Sequence, residues 1–333
     1  MDYEIVATLG PSSQTEVRWS ALLSAGATAF RLNTSYLSLE QLGGWLEKIQ
    51  RFQATLPAPV SVVLDLQSSK WRLGDFPSLE WVTGQRVRLV HAASSNQPSV
   101  LPVPHADFFR AAPASNGEIV LNDAKVRLAA LSMESDYLLA RVVQGGELSA
   151  HKGITLPSSD YRQEALQAKD RAILEQTSSL PFIRYAISYV RDAIEMDRYR
   201  ALFGPQPYLI AKIERQPAAR EALEIAQHAD ELWLCRGDLG AELGMKAMAE
   251  TVHGFAEIPG RSPVPVLLAG QVLEHMVAHP EPTRSEVNFL YEALCQGYAG
   301  VVLSDETAIG DHPIESCRVA ALFKDTRVFG CKW

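Results

Sequence analysis

The feature that most constrains this chain is an alternation repeated from its first residues to its last. Short runs rich in β-branched and aliphatic residues are each followed by a longer amphipathic stretch. The runs are Glu4–Thr8, Thr28–Leu32, Val60–Leu64, Arg184–Ile187, Tyr208–Ala211, Glu231–Leu234, Val266–Ala269 and Gly300–Leu303. A strand followed by a helix, over and over, builds a parallel sheet covered by helices. Eight such repeats predict a closed (β/α)8 TIM barrel in the α/β class rather than an open sheet. The length of 333 residues suits one large barrel or two domains, and 47% hydrophobic against 21% charged residues is enough to build a core.

One stretch breaks the alternation. From Leu73 to His151 the pattern changes to short alternating strands, Gln85–Val90, Lys125–Leu128 and Tyr137–Val143, with the turn signal Gln144-Gly145-Gly146. We read residues 73–151 as a small β-rich, β-barrel-like lid domain inserted after barrel strand three, and residues 1–72 and 152–333 as the barrel. Barrel sites form at the C-terminal ends of the strands, so an insert at that point is expected to cover the mouth and to move.

Charge and cysteine content exclude several classes. Lys and Arg number 31 against 39 Asp and Glu, a net charge of -8, which argues against broad binding of nucleic acid. The four cysteines, Cys235, Cys295, Cys317 and Cys331, form no C-x-x-C pair, so a disulfide framework or structural zinc site is not expected. The opening MDYEIVATLG carries no basic and apolar leader, and no run approaches a membrane span. The expectation is a cytoplasmic protein without a membrane partner.

Polar residues at the strand ends are the candidates for chemistry. Arg31, Asn33, Ser35, Asp65, Lys212, Glu214, Asp238 and Ser304 fall at or just beyond the ends of predicted strands. Carboxylates and cations gathered in one barrel mouth suit a divalent metal and an anionic substrate, although strand-end polar residues also simply meet solvent. Lys212 and Glu214 are two apart on one strand, so both point to the same side, where each charge needs a partner. A ligand site and a structural salt bridge are equally compatible with that spacing. In Cys235-Arg236-Gly237-Asp238-Leu239-Gly240 the start of a helix offers free N–H groups to an anion and a carboxylate to a metal. A tight turn capped by Asp238 explains the same residues.

Taken together, these segments resemble the pyruvate kinase family. The resemblance is carried, in order, by Ile5-Val6-Ala7-Thr8-Leu9-Gly10-Pro11, Ala29-Phe30-Arg31-Leu32-Asn33-Thr34-Ser35, His151-Lys152-Gly153-Ile154-Thr155-Leu156-Pro157 and Lys212-Ile213-Glu214. Arg236-Gly237-Asp238-Leu239-Gly240-Ala241-Glu242, Pro282-Thr283-Arg284-Ser285-Glu286 and Leu303-Ser304-Asp305-Glu306-Thr307-Ala308 complete it. It implies phosphoryl transfer between phosphoenolpyruvate and ADP, giving pyruvate and ATP, with Mg2+ or Mn2+.

By position, the resemblance makes Glu214 and Asp238 the metal ligands and Lys212 the cation that stabilises the phosphoryl group, with Arg31 and Ser304 beside it in the catalytic set. Gly237, Asp238, Gly270, Arg72 and Lys152 would bind substrate, and Pro11, Tyr36, Arg31 and Lys152 the nucleotide. Leu66, Gln67, Lys70 and Leu73 match family members that work without potassium. The Lys70 ammonium is expected to supply the charge of that ion, so K+ is not required, while Asn33, Ser35 and Asp65 match potassium ligands kept for packing and hydrogen bonding.

Three positions depart from the family pattern: Gly270 where a threonine is usual, Asp305 where a glycine is usual, and Tyr36 where a histidine is usual. Two further readings therefore stand beside the first: metal-dependent enolate chemistry on a 2-oxo acid without nucleotide, and a metabolite-binding pseudoenzyme. Family chains normally continue into a C-terminal regulatory domain. Since this sequence stops at Trp333, the expectation is a barrel-to-barrel homodimer without sugar-phosphate regulation.

Overall fold

A computed structural model describes residues 3–113, 115–122, 124–157 and 166–325. Cys331 and the chain end at Trp333 lie outside the described residues. The chain divides into two compact units. The first comprises Met1–Leu66, Gln167–Arg236 and Thr251–Trp333, the second Gln67–Leu166 with Gly237–Glu250.

The first unit is the expected barrel. Its strands are β1 (Glu4–Thr8), β2 (Ala29–Asn33), β3 (Ser61–Leu66), β4 (Ile183–Ile187), β5 (Tyr208–Ile213), β6 (Glu231–Cys235), β7 (Val266–Ala269) and β8 (Gly300–Leu303). They pair in chain order, all parallel, and β8 closes onto β1. The runs predicted for β1, β7 and β8 coincide with the observed strands, and the others differ by one or two residues at an end.

Register explains what the barrel does with each residue. A single inward layer is built by one residue from every strand: Val6, Ala29, Val63, Ala186, Ile210, Trp233, Leu267 and Val302. Because side chains alternate, the inward positions two residues further on are Thr8, Arg31, Asp65, Ser188, Lys212, Cys235, Ala269 and Ser304. The C-terminal mouth is therefore polar on six of the eight strands. Two residues in the other direction, the same rule turns Glu4, Arg184, Tyr208 and Glu231 into the N-terminal end. The opposite faces of the strands, including Ile5, Phe30, Leu32, Val62 and Leu64, are fully buried.

Helices cover those faces. Trp19, in the helix Glu16–Ser24, packs on Phe30 and meets the Phe52 ring edge-on at 5.3 Å. Phe52 belongs to the helix Leu39–Gln53, which opens with reciprocal Ser38 and Gln41 caps. The Pro282–Glu286 string starts the helix Arg284–Cys295 in the same way. Thr283 Oγ1 accepts from the Glu286 N–H, and Glu286 Oε2 accepts from the Thr283 N–H.

The second unit carries a seven-stranded sheet in the spatial order Trp71–Arg72, Gly153–Thr155, Glu118–Leu121, Val126–Met133, Tyr137–Gln144, Arg86–Val90, Val100–Pro102. All its pairs are antiparallel except the last. Leu79–Trp81 and Gly146–Leu148 form a separate ribbon. The core of this unit comes from the alternate residues Val126, Leu128 and Ala130 with Leu138, Ala140 and Val142, together with Trp71, Phe108 and Ile154. Among the described residues, no helix is long and apolar enough to cross a membrane.

Candidate active site

The polar mouth of the barrel is organised around Asp65, at the end of β3. Arg31, inward from β2, donates to Asp65 Oδ2 from Nε at 2.8 Å and from Nη2 at 2.6 Å. Lys212, inward from β5, donates from Nζ to both Asp65 oxygens at 3.1 Å. Ser188 follows β4 and donates to Asp65 Oδ1, while its own oxygen accepts from Lys212 Nζ at 3.0 Å. Arg31 Nη1 reaches on to Thr8 Oγ1 at 2.9 Å and Ser304 Oγ at 3.3 Å. Four strands are thus tied together by one carboxylate.

Lys212 also faces Glu214, with Nζ 2.8 Å from Oε1. The other glutamate oxygen accepts the N–H of Tyr189 at 2.8 Å. Tyr189 holds a positive φ of 59°, an uncommon conformation for a tyrosine that aims this N–H at the carboxylate.

Burial and charge act against each other here. Burial disfavours the Asp65 carboxylate, but the adjacent Lys212 and Arg31 cations outweigh it and hold Asp65 well below the usual carboxylate range. Burial likewise opposes the Lys212 ammonium, yet Asp65 and Glu214 keep its pKa above the ordinary lysine value. Both groups are charged at neutral pH. The mouth holds two buried cations whose charge is secured, which suits an anionic ligand.

Of the residues expected from the sequence, Arg31, Lys212, Glu214 and Ser304 are brought together around Asp65. Gly270 follows β7 at φ 81°. Its carbonyl accepts from Arg236 Nε at 3.1 Å and Nη2 at 2.8 Å, and the Arg236 guanidinium lies over the Phe289 ring. Pro11 opens a short 3-10 helix, and Tyr36 ends another with its ring half exposed. Asn33 Oδ1 accepts from the Ser35 N–H, a turn contact rather than a link to Asp65.

In the second unit, Lys70 forms an ion pair with Asp238, in the first turn of the helix Arg236–Gly254. Gly237 precedes it, with open space where a Cβ would be. Arg72 stands opposite Gly153 in the sheet, and its Nη1 donates to His151 O at 2.9 Å. Lys152 O accepts the Leu73 N–H on the same strand pair. Among the described residues no group of three or more His, Cys, Asp or Glu side chains gathers to hold a metal.

Ser188 and Tyr189 are the functional positions that sequence reasoning passed over. Ser188 obeys the same strand-end rule as Asp65 and Lys212, directly after the Arg184–Ile187 run, and counting two residues on from Ala186 would have found it. Tyr189 contributes a main-chain N–H, for which side-chain identity gives no signal.

The sequence also matches known proteins along most of its length. The family model described as pyruvate kinase, barrel domain, matches residues 2–317. A pyruvate kinase of Methylorubrum extorquens is 32% identical over 315 residues, 94% of this chain and 66% of that protein. One from Aeropyrum pernix is 31% identical over 94% of this chain and 68% of that protein. Pyruvate kinase 2 of Synechocystis is 30% identical over 96% of this chain and 55% of that protein. The chain thus spans about two thirds or less of the length of these relatives.

Proposed function

The chain belongs to the pyruvate kinase family, and from that membership we propose that it transfers a phosphoryl group between phosphoenolpyruvate and ADP, yielding pyruvate and ATP. The observation that carries the reading is the buried Lys212 ammonium held between Asp65 and Glu214 at the barrel mouth. Phosphoryl transfer asks a protein chiefly to position its reactants and to neutralise charge spread over the phosphoryl oxygens. A cation fixed by two carboxylates on rigid strands meets that need without reorganising during the reaction.

The carboxylates assigned to the metal by residue match are Glu214 and Asp238. Hard oxygen donors suit Mg2+ or Mn2+, and Mg2+ commonly takes only one or two protein carboxylates, leaving its remaining positions to water and substrate oxygens. The absence of a denser acidic cluster among the described residues is therefore compatible with the assignment. When bound, the metal would supply Lewis-acid stabilisation of charge on the phosphoryl group. Around it, Arg31 would balance phosphate charge from β2 and Lys212 would stabilise the group in flight. The N–H groups of Gly237 and Asp238 would hold the substrate carboxylate. By residue match, Arg72 and Lys152 would balance phosphate charge, and Lys70 would stand in for a monovalent cation, leaving K+ unnecessary.

The test is a matrix of purified protein with Mg2+ or Mn2+, phosphoenolpyruvate and several nucleotides, with pyruvate and oxaloacetate supplied alone in parallel. Pyruvate formation requiring metal, phosphoenolpyruvate and a nucleoside diphosphate is the expected result. Consumption of oxaloacetate, or proton exchange on pyruvate, without nucleotide and without phosphoryl transfer would replace this reading with enolate chemistry. Failure to bind any divalent metal would replace it with a binding protein.

A further inference from the structure

Lys70 is held at three points, all within the second unit. Its backbone is clamped in a turn: the Lys70 N–H donates to Gln67 O at 3.1 Å, and Gln67 Nε2 donates to Lys70 O at 3.0 Å. Its stem then runs against the backbone of Gly153. A Cβ added at Gly153 would come within 2.8 Å of Lys70 Cε and 3.3 Å of Nζ, so a side chain there would have to shift the flexible end of Lys70. Its head pairs with Asp238 Oδ1, and the two side chains are only 6% and 14% exposed. Residues 168 positions apart in sequence are joined by this pair.

We propose that Lys70 is a built-in competitor for Asp238, pairing with its carboxylate and setting the affinity with which a divalent cation can claim it. The inference rests on the proposal that Asp238 is a metal ligand. A divalent cation and an ammonium on one small carboxylate repel each other, and shielding from water strengthens that repulsion. Metal binding must therefore displace the ammonium or bear its proximity, and either lowers the affinity relative to an unguarded aspartate. By linkage, the metal loosens Lys70 by the same factor. Gly153, with no side chain, leaves the end of the lysine stem unhindered.

Direct Mn2+ binding, read from the electron paramagnetic resonance signal of free Mn2+ with the full chain and no substrates, separates the possibilities. Lys70→Met should bind Mn2+ at least tenfold more tightly than wild type. Gly153→Ala keeps every charge and only shifts the end of Lys70, and should tighten binding less than Lys70→Met does. Asp238→Asn should weaken it at least tenfold. Equal or weaker binding in Lys70→Met, with Asp238→Asn impaired, overturns the competitor role and leaves Asp238 as a ligand. Unchanged binding in Asp238→Asn overturns the ligand assignment itself, and the competitor role with it. Should Lys70→Met fail to melt cooperatively, Lys70→Gln decides in its place: unchanged or weaker binding there overturns the proposal.

Discussion

Lys212 and Glu214, two residues apart on β5 and its C-terminal extension, form a contact of 2.8 Å between Nζ and Oε1 inside the barrel mouth, where both side chains are almost inaccessible to water. Period-two geometry makes them neighbours on one face, and neither could be buried there alone without a large penalty. The lysine is not satisfied by Glu214 only. Its simultaneous hold on Asp65 and Ser188 fixes the ammonium in three directions. The position of the charge is thereby set by β3, β4 and β5 together.

Lys212→Met should therefore lose both function and stability. Glu214 would be left buried without its cation, and Asp65 would keep Arg31 as its one cation beside the Ser188 hydroxyl, a disruption of the kind that costs about 3–5 kcal/mol. Turnover with phosphoenolpyruvate, ADP and Mg2+ should fall at least a thousandfold, and urea unfolding should report the stability loss. Near-normal turnover in a folded Lys212→Met protein would remove Lys212 from the chemistry.

The N-terminal end of the barrel gives a pH dependence of its own. Glu231 accepts from Tyr208 OH at 2.9 Å and from Trp233 Nε1. The Arg184 guanidinium lies 2.9 Å from Glu4 Oε1 but 3.6 Å from Glu231 Oε2, so one cation serves two carboxylates. Burial first, and then the neighbouring Glu4, push the Glu231 pKa up to about 7. The folded protein thus binds a proton here that the unfolded chain has already released above its ordinary value of 4.5. Stability contributed by this group is present below about 4.5 and is lost as pH rises toward 7. Melting temperatures of wild type and Glu231→Gln between pH 5 and 8 should diverge accordingly, with wild type losing ground as pH rises. Parallel curves would contradict the shift.

These two networks also show how far a sequence can be followed. The barrel was legible because short runs such as Glu4–Thr8 and Gly300–Leu303 alternate with longer amphipathic stretches. Period-two spacing put Lys212 and Glu214 on one side of a strand, where each charge needs a partner, and left open whether that partner is the other residue or a ligand. It could not show that Lys70 meets Asp238, since nothing local links a turn residue to a helix start 168 positions away. It likewise said nothing of the Tyr189 N–H, a main-chain donor aimed by a positive φ. The Pro282–Glu286 string was visible as a family mark, while its physical content is the Thr-x-x-Glu cap that starts a helix.

Gly270→Thr should not improve the protein, although threonine is the residue its family resemblance suggests there. At φ 81° a β-branched side chain is strained, by about 1–2 kcal/mol. Twisting the backbone to relieve that strain would pull the Gly270 carbonyl from Arg236, which holds it with two nitrogens. The expected result is a lower melting temperature and no gain in turnover. A variant both as stable and more active than wild type would show that this loop accepts the hydroxyl without strain.

The final prediction concerns monovalent cations. The Lys70 ammonium places a positive charge beside Asp238, and that charge remains at the site even where a divalent cation loosens the pair, so a potassium ion has no unfilled role there. Magnesium-dependent turnover should be the same in potassium and in tetramethylammonium at equal ionic strength. Lys70→Glu reverses the situation by placing a second carboxylate where the ammonium paired with the first. Two negative side chains at such a distance repel strongly and recruit a cation from solution. Potassium should then raise the turnover of Lys70→Glu several-fold, saturating as the site fills, while tetramethylammonium, too large to enter between two carboxylates, should not. Several-fold potassium activation of the wild-type protein would refute this account of Lys70. A Lys70→Glu variant equally active in both salts would show that its charge does not substitute for a monovalent ion.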